Sequence, residues 1–162
     1  MRDIVINTGP IIALVAATKS LDWLPSLYRQ ILIPFEVRDE IDAGGQGNHE
    51  SYAINRIKDR VKIGDRATDI PTALQRELDM GEASVIASAT QNQIGLVAID
   101  EKAGRRLARI HGLLVTGSLG ILLKAKKQHV IPSLSDCISR MSDHGIWIAQ
   151  DLITLTLREA GE

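Results

Sequence analysis

Two adjacent acids, Asp100 and Glu101, close the short aliphatic run Leu96-Val97-Ala98-Ile99, and Gly104-Arg105-Arg106 follows at once. A run of that kind reads as a buried strand, so the acids stand at a strand's carboxyl end, where open α/β sheets place their ligands. A second strand-like run, Ile4-Val5-Ile6, ends in Asn7-Thr8-Gly9-Pro10. Oxygen-bearing side chains at two strand mouths suit a cation or a phosphate.

Two further acids belong with them, Glu40 and Glu82, and each candidate also has a structural reading. Asn7 is either a neutral oxygen ligand, weaker than a carboxylate for a hard cation, or a plain turn residue. Glu40 shares Glu36-Val37-Arg38-Asp39-Glu40 with two other acids, so spacing alone leaves open which of them is functional and which are solvated. Glu82 follows Asp79 by three residues, the pattern of a capping box, and would equally be an acid aimed at the sheet's edge. Asp100 could N-cap the helix expected from Lys102, which explains one acid of the pair. Glu101 reads as a first-turn acid favoured by the helix dipole, with metal contact through water as the alternative. Lys102, Arg105, Arg106 and Arg109 recur at helical spacing. They form either a solvated face or a row that grips phosphate. Ser118, in Thr116-Gly117-Ser118, opens another helix whose amides could hold an anion or simply be capped.

These side chains need a scaffold, and the chain alternates strand-like runs with helical patterns, which favours a parallel α/β sheet over α+β. Strands are expected at residues 3–6, 31–33, 61–63, 96–99 and 113–116. Helices are expected at 11–17, 21–28, 34–41, 50–57, 79–92, 102–111, 119–127, 134–142 and 149–159. Ala43-Gly44-Gly45-Gln46-Gly47-Asn48 is glycine-rich and reads as a flexible flap. Without repeats or a linker, one domain over residues 1–162 is the expectation.

Composition narrows the classes. The net charge of −1 leaves any nucleic-acid binding to a local patch, and five aromatics argue against a stacking platform of the single-strand-binding type. The single Cys137 excludes an internal disulfide and a cysteine zinc site, and its spacing with Leu134, Ile138 and Met141 marks it as core. Apolar runs fall short of the ~20 residues of a membrane span and no signal peptide is visible, so a cytoplasmic protein is expected. No glycine-rich dinucleotide turn follows the first strand.

Taken in order, five blocks resemble the PIN-domain nucleases, the fold of VapC-type toxins, and most closely the DUF3368-type branch. They are Ile6-Asn7-Thr8-Gly9-Pro10, Ile33-Pro34-x-x-Val37-x-x-Glu40-Ile41, Leu78-Asp79-Met80-Gly81-Glu82-Ala83, Ile99-Asp100-Glu101-Lys102-x-Gly104-Arg105 and Val115-Thr116-Gly117-Ser118-Leu119-Gly120. The resemblance implies a three-layer α/β/α sandwich around a five-stranded parallel sheet of order 3-2-1-4-5. It implies an endoribonuclease using Mg2+ or Mn2+ held by Asn7, Glu40, Glu82 and Asp100, with Glu101 beside them, and Lys102, Arg105, Arg109 or Ser118 steadying the RNA phosphate. A toxin role, a small antitoxin partner and a homodimer follow from the same likeness. Trp147 with Leu152, Leu155 and Thr156 is either an apolar contact surface or a face of the last helix buried in the protein's own core. One departure stands out: the first position, usually aspartate in the family, is Asn7. That substitution opens a second expectation, a binding module with weakened or lost catalysis.

Overall fold

The computed structural model describes residues 1–44 and 48–162. Five parallel strands, β1 (Ile4–Ile6), β2 (Ile31–Ile33), β3 (Lys62–Ile63), β4 (Leu96–Ala98) and β5 (Leu114–Thr116), form one sheet in the order β3-β2-β1-β4-β5. The inner strands read Ile-Val-Ile and Ile-Leu-Ile and are wholly buried, as a parallel sheet covered on both faces demands. Val5 sits level with both Leu32 and Val97, so β1 is central. The ladder runs on past the strands, with Asn7 N–H donating to Ala98 O and Ile99 N–H to Thr116 O, each at 3.0 Å. Asn7 and Ile99 are thereby fixed in sheet register. Between β1 and β4 the chain reverses its direction of travel across the sheet, the switch point at which such sheets open a crevice.

Among the described residues nine α-helices complete the three layers: α1 (Thr8–Thr18), α2 (Phe35–Asp42), α3 (His49–Ile57), α4 (Thr72–Glu77), α5 (Met80–Gln91), α6 (Lys102–Ile110), α7 (Ser118–Lys127), α8 (Leu134–Asp143) and α9 (Gln150–Ala160). Helix α1 packs with α3, α7 and α8, while α5 packs with α2, α4 and α6. Helix α5 is buried continuously from Gly81 to Ala89. Its small residues, Gly81, Ala83, Ser84, Ala87, Ser88 and Ala89, let it lie close to the sheet. A charged group in its first turn must therefore enter the interior. Cys137 is core, as its spacing implies, and burial raises its thiol pKa.

Two expectations fail. Residues 21–28 form only a 3-10 turn at Leu24–Ser26, because Pro25 supplies no N–H and Ser20 and Asp22 make local side-chain and backbone bonds instead. Helix α4 has no counterpart among the expected elements; it is a short piece begun by Pro71 and anchored through Leu74. The remaining bounds shift by one to three residues. The expected flap falls partly outside the described residues, at 45–47. At its far end Asn48 caps α3, accepting from Ser51 N–H at 2.9 Å.

Candidate active site

Asn7 leaves β1 as the N-cap residue of α1, yet its side chain makes no cap bond. It is 4% exposed, and its Oδ1 is buried without a hydrogen-bond partner among the described residues. Asparagine at an N-cap ordinarily satisfies a free amide of the first turn. Here it gives that up to face α2 and α5. A Cβ placed on Gly81 would lie 3.1 Å from Asn7 Oδ1, 2.8 Å from Glu40 Oε2 and 3.4 Å from Asp79 Oδ1. The bare Gly81 backbone thus marks where three oxygen-bearing side chains converge.

The ambiguity among the acids of α2 resolves by partner. Glu36 is bound by Thr68, whose N–H and Oγ1 donate to its two oxygens at 2.6 and 2.8 Å. Glu40, one turn on, takes a hydrogen bond from Thr8 Oγ1 at 2.7 Å and joins the Asn7 group. Threonine at the start of α1 therefore positions an acid on α2, a role that local sequence does not announce.

Glu82 is 5% exposed, and its Oε1 is the second buried side-chain oxygen without a partner among the described residues. Part of the capping box forms, with Glu82 N–H donating to Asp79 Oδ1 at 2.8 Å. Burial, reinforced by the charges of Asp79 and then Glu101, pushes the Glu82 carboxyl up from 4.5 to about 7, while the backbone amides of Asp79 and Gly104 offset part of the rise. Asp79 is thus a member of the acidic group as well as a cap, which its place in Asp79-Met80-Gly81-Glu82 could have signalled. A Cβ on Gly104 would stand 2.5 Å from Glu82 Oε1 and 2.9 Å from Ile99 Cγ2. Glycine is needed there for the Glu82 carboxylate to fit.

The sequence neighbours Asp100 and Glu101 part company. Asp100 does cap a helix, but α7 and not α6: Ser118 N–H and Oγ donate to its Oδ1 at 2.8 and 3.3 Å. The helix terminus that the sequence offers to an external anion is used by this internal carboxylate. Glu101 is the N-cap residue of α6 without a side-chain cap bond. Its two carboxylate oxygens lie 3.5 Å from where a Cβ of Gly9 would stand, over the first turn of α1. That negative charge complements the amino end of a helix that carries no acid of its own there.

The basic residues also divide. Lys102 and Arg109 are exposed on α6, and Arg106 faces Glu77 at 3.6 Å. Arg105 is half-buried, and its Nη1 donates to Ile99 O at 2.8 Å and Thr116 O at 3.0 Å, tying the ends of β4 and β5. Burial, with Arg109 next, lowers its pKa, while Asp100 opposes the shift.

Among the described residues no three Asp, Glu, His or Cys side chains gather into a ready-made metal cage. The donor chemistry nonetheless fits a hard divalent cation. The groups are all oxygen, two are buried and unpartnered, and Mg2+ takes one or two carboxylates while keeping much of its water. Asn7, Glu40 and Glu82 are the residues that would hold it, with Glu101 and Asp100 at the margin.

Fold and cleft together define a class: parallel α/β domains with an acid-lined crevice at the sheet's switch point. The family profile described as DUF3368: PIN domain matches residues 3–162, and the chain belongs to that family. A PIN domain is a nuclease fold; such domains act on nucleic acids, and PIN nucleases generally need divalent metals. No curated protein matches the chain. No helix among the described residues is long and apolar enough to cross a membrane.

Proposed function

We propose that this protein is a Mg2+- or Mn2+-dependent endoribonuclease. The reading rests above all on Asn7 Oδ1 and Glu82 Oε1, both buried near the sheet's switch point and neither accepting a well-formed hydrogen bond among the described residues. Burying such oxygens unpaired costs about 1–3 kcal/mol each, a penalty that a bound cation would remove. When bound, the cation would supply an activated water and neutralise charge on the leaving oxygen. The chain's own residues do the rest. Thr8 holds Glu40 in place, and Asp79 holds the first turn of α5 and so Glu82. Lys102 and Arg109, free on α6, offer charge to the phosphate, whereas Arg105 acts from below by fixing the strand ends. Ser118 acts through Asp100, which stays exposed at the cleft and whose Oδ2 accepts no hydrogen bond among the described residues.

The toxin reading, with a small antitoxin partner and a homodimer, rests on the VapC likeness of the sequence blocks. A second reading, a PIN domain with weakened catalysis, is favoured by Asn7 in the place of an acid and by the absence of a gathered metal cage among the described residues. One experiment separates the two. Purified protein is incubated with single-stranded RNA and Mg2+ or Mn2+, beside Asp100→Asn and Asn7→Asp. The nuclease reading expects cleavage that chelator and Asp100→Asn both abolish. The weakened module expects almost none until Asn7→Asp restores it. No metal-dependent cleavage by wild type or Asn7→Asp would defeat the nuclease reading.

A further inference from the structure

A groove of about 870 Å³ begins at Asp100 and Glu101 and runs along α1 and α7 to Trp147 and the start of α9. Its floor is apolar, built in part from Ile12, Leu123 and Leu152. Trp147 is 84% exposed at its far end, although indoles are among the side chains that gain most from burial. The exposure is not that of a loose tail. Ile146 and Ile148, on either side, pack against the core, and Ile146 N–H donates to Met141 O at 3.0 Å. Alternation along this extended segment turns Trp147 outward and holds it there. The other tryptophan, Trp23, is only partly exposed and donates its Nε1 hydrogen to Thr18 Oγ1 and Ser20 O, each at 3.0 Å.

We propose that this groove seats a base of single-stranded RNA beside the Asp100–Glu101 end of the cleft, with Trp147 as its stacking platform. The inference rests on the nuclease reading above. Three observations select this occupant. The groove is continuous with the acidic edge, since Asp100 and Glu101 line both. Exposed Lys102 stands at that same end, where a phosphate leaving the cleft would pass. The volume falls within the range of about 300–1,000 Å³ usual for small-ligand sites, which a nucleotide fills. A flat apolar face joined to an anionic backbone matches this sequence of surfaces, and single-stranded RNA is recognised by stacking unpaired bases on aromatic side chains.

Emission of the Trp23→Phe protein reports on Trp147 alone. Mixing it with a short single-stranded RNA in magnesium buffer, read by stopped flow before turnover, should give saturable quenching. Trp147→Ala should weaken RNA binding about 5- to 150-fold, the loss of one base–aromatic stack, and should raise KM more than it lowers kcat. Trp147→Phe should keep most of the affinity, and Leu155→Ala, exposed but outside the groove, should keep all of it. Equal RNA affinity for wild type and Trp147→Ala overturns the proposal. So does an emission shift that follows protein concentration and ignores RNA, which would make this face a contact between copies. Cleavage that is indifferent to Trp147 removes the groove and leaves the nuclease reading. Quenching without cleavage in any divalent cation does the reverse.

Discussion

On the β1 side of the cleft, Asn7 and Glu82 bury oxygens that no donor meets among the described residues, and Glu82 is driven toward neutrality. On the β4 side, Asp100 is met by a helix terminus and a hydroxyl, and Arg105 ties the strand ends beneath it. Both sides carry acids at the same sheet edge. One acid is steadied by its own protein while staying exposed at the cleft; the other side is left short of positive charge. Buried polar groups in native structures are overwhelmingly paired, so the two unpaired oxygens are what a bound cation would account for. On the proposed reading the β4 side is the frame and the β1 side the seat.

The sharpest test of that contrast is Gly104→Ala. Alanine would normally gain about 1 kcal/mol over glycine in a helix interior. Here its Cβ would meet Glu82 Oε1 and Ile99 Cγ2. Overpacking of this kind costs about 1–3 kcal/mol, so the expected outcome is a melting temperature several degrees lower and loss of Mn2+ binding by calorimetry. A more stable variant that still binds Mn2+ would break the comparison.

The next effect depends on pH. The folded-state pKa of Glu82 is raised, so its contribution to stability is complete below the ordinary 4.5 and is lost as pH climbs through about 7. Glu82→Gln removes that ionisation. In chelator, its melting temperature relative to wild type should rise from pH 5 to about pH 7, by a few degrees in all, and level off above that. A difference that stays flat with pH would show that Glu82 is not held near neutrality.

The smallest effect belongs to the β4 side. Ser118→Ala removes the long Oγ contact to Asp100 but leaves the stronger backbone one, so thermal unfolding should show a loss of no more than about 1 kcal/mol. A loss as large as that for Gly104→Ala would mean that the two sides do not differ.

Much of the frame was readable from residue order. Ile4-Val5-Ile6 and Leu96-Val97-Ala98 read as buried strands and are strands in the structure, and their ends put Asn7 and Asp100 at the sheet's carboxyl edge. Apolar spacing at 21–28 matches a helix, yet the backbone follows Pro25 and makes only a 3-10 turn. Glu36 and Glu40 could not be told apart by spacing, since one turn of helix separates them and both lie on its flank. Thr68 and Thr8, both 32 residues away, made the distinction.

The sequence by itself determined the sheet, the family and most of the oxygen-bearing residues at its edge, though not the parts of Thr8 and Asp79, because hydrophobic periodicity and block order are local properties written along the chain. Only the tertiary structure decided which oxygens are satisfied. It sent Asp100 to the amino end of α7, laid Glu101 over Gly9, turned Arg105 inward and left Asn7 Oδ1 and Glu82 Oε1 without partners among the described residues. Hydrogen-bond satisfaction depends on donors brought from distant segments, and no local pattern records where they arrive.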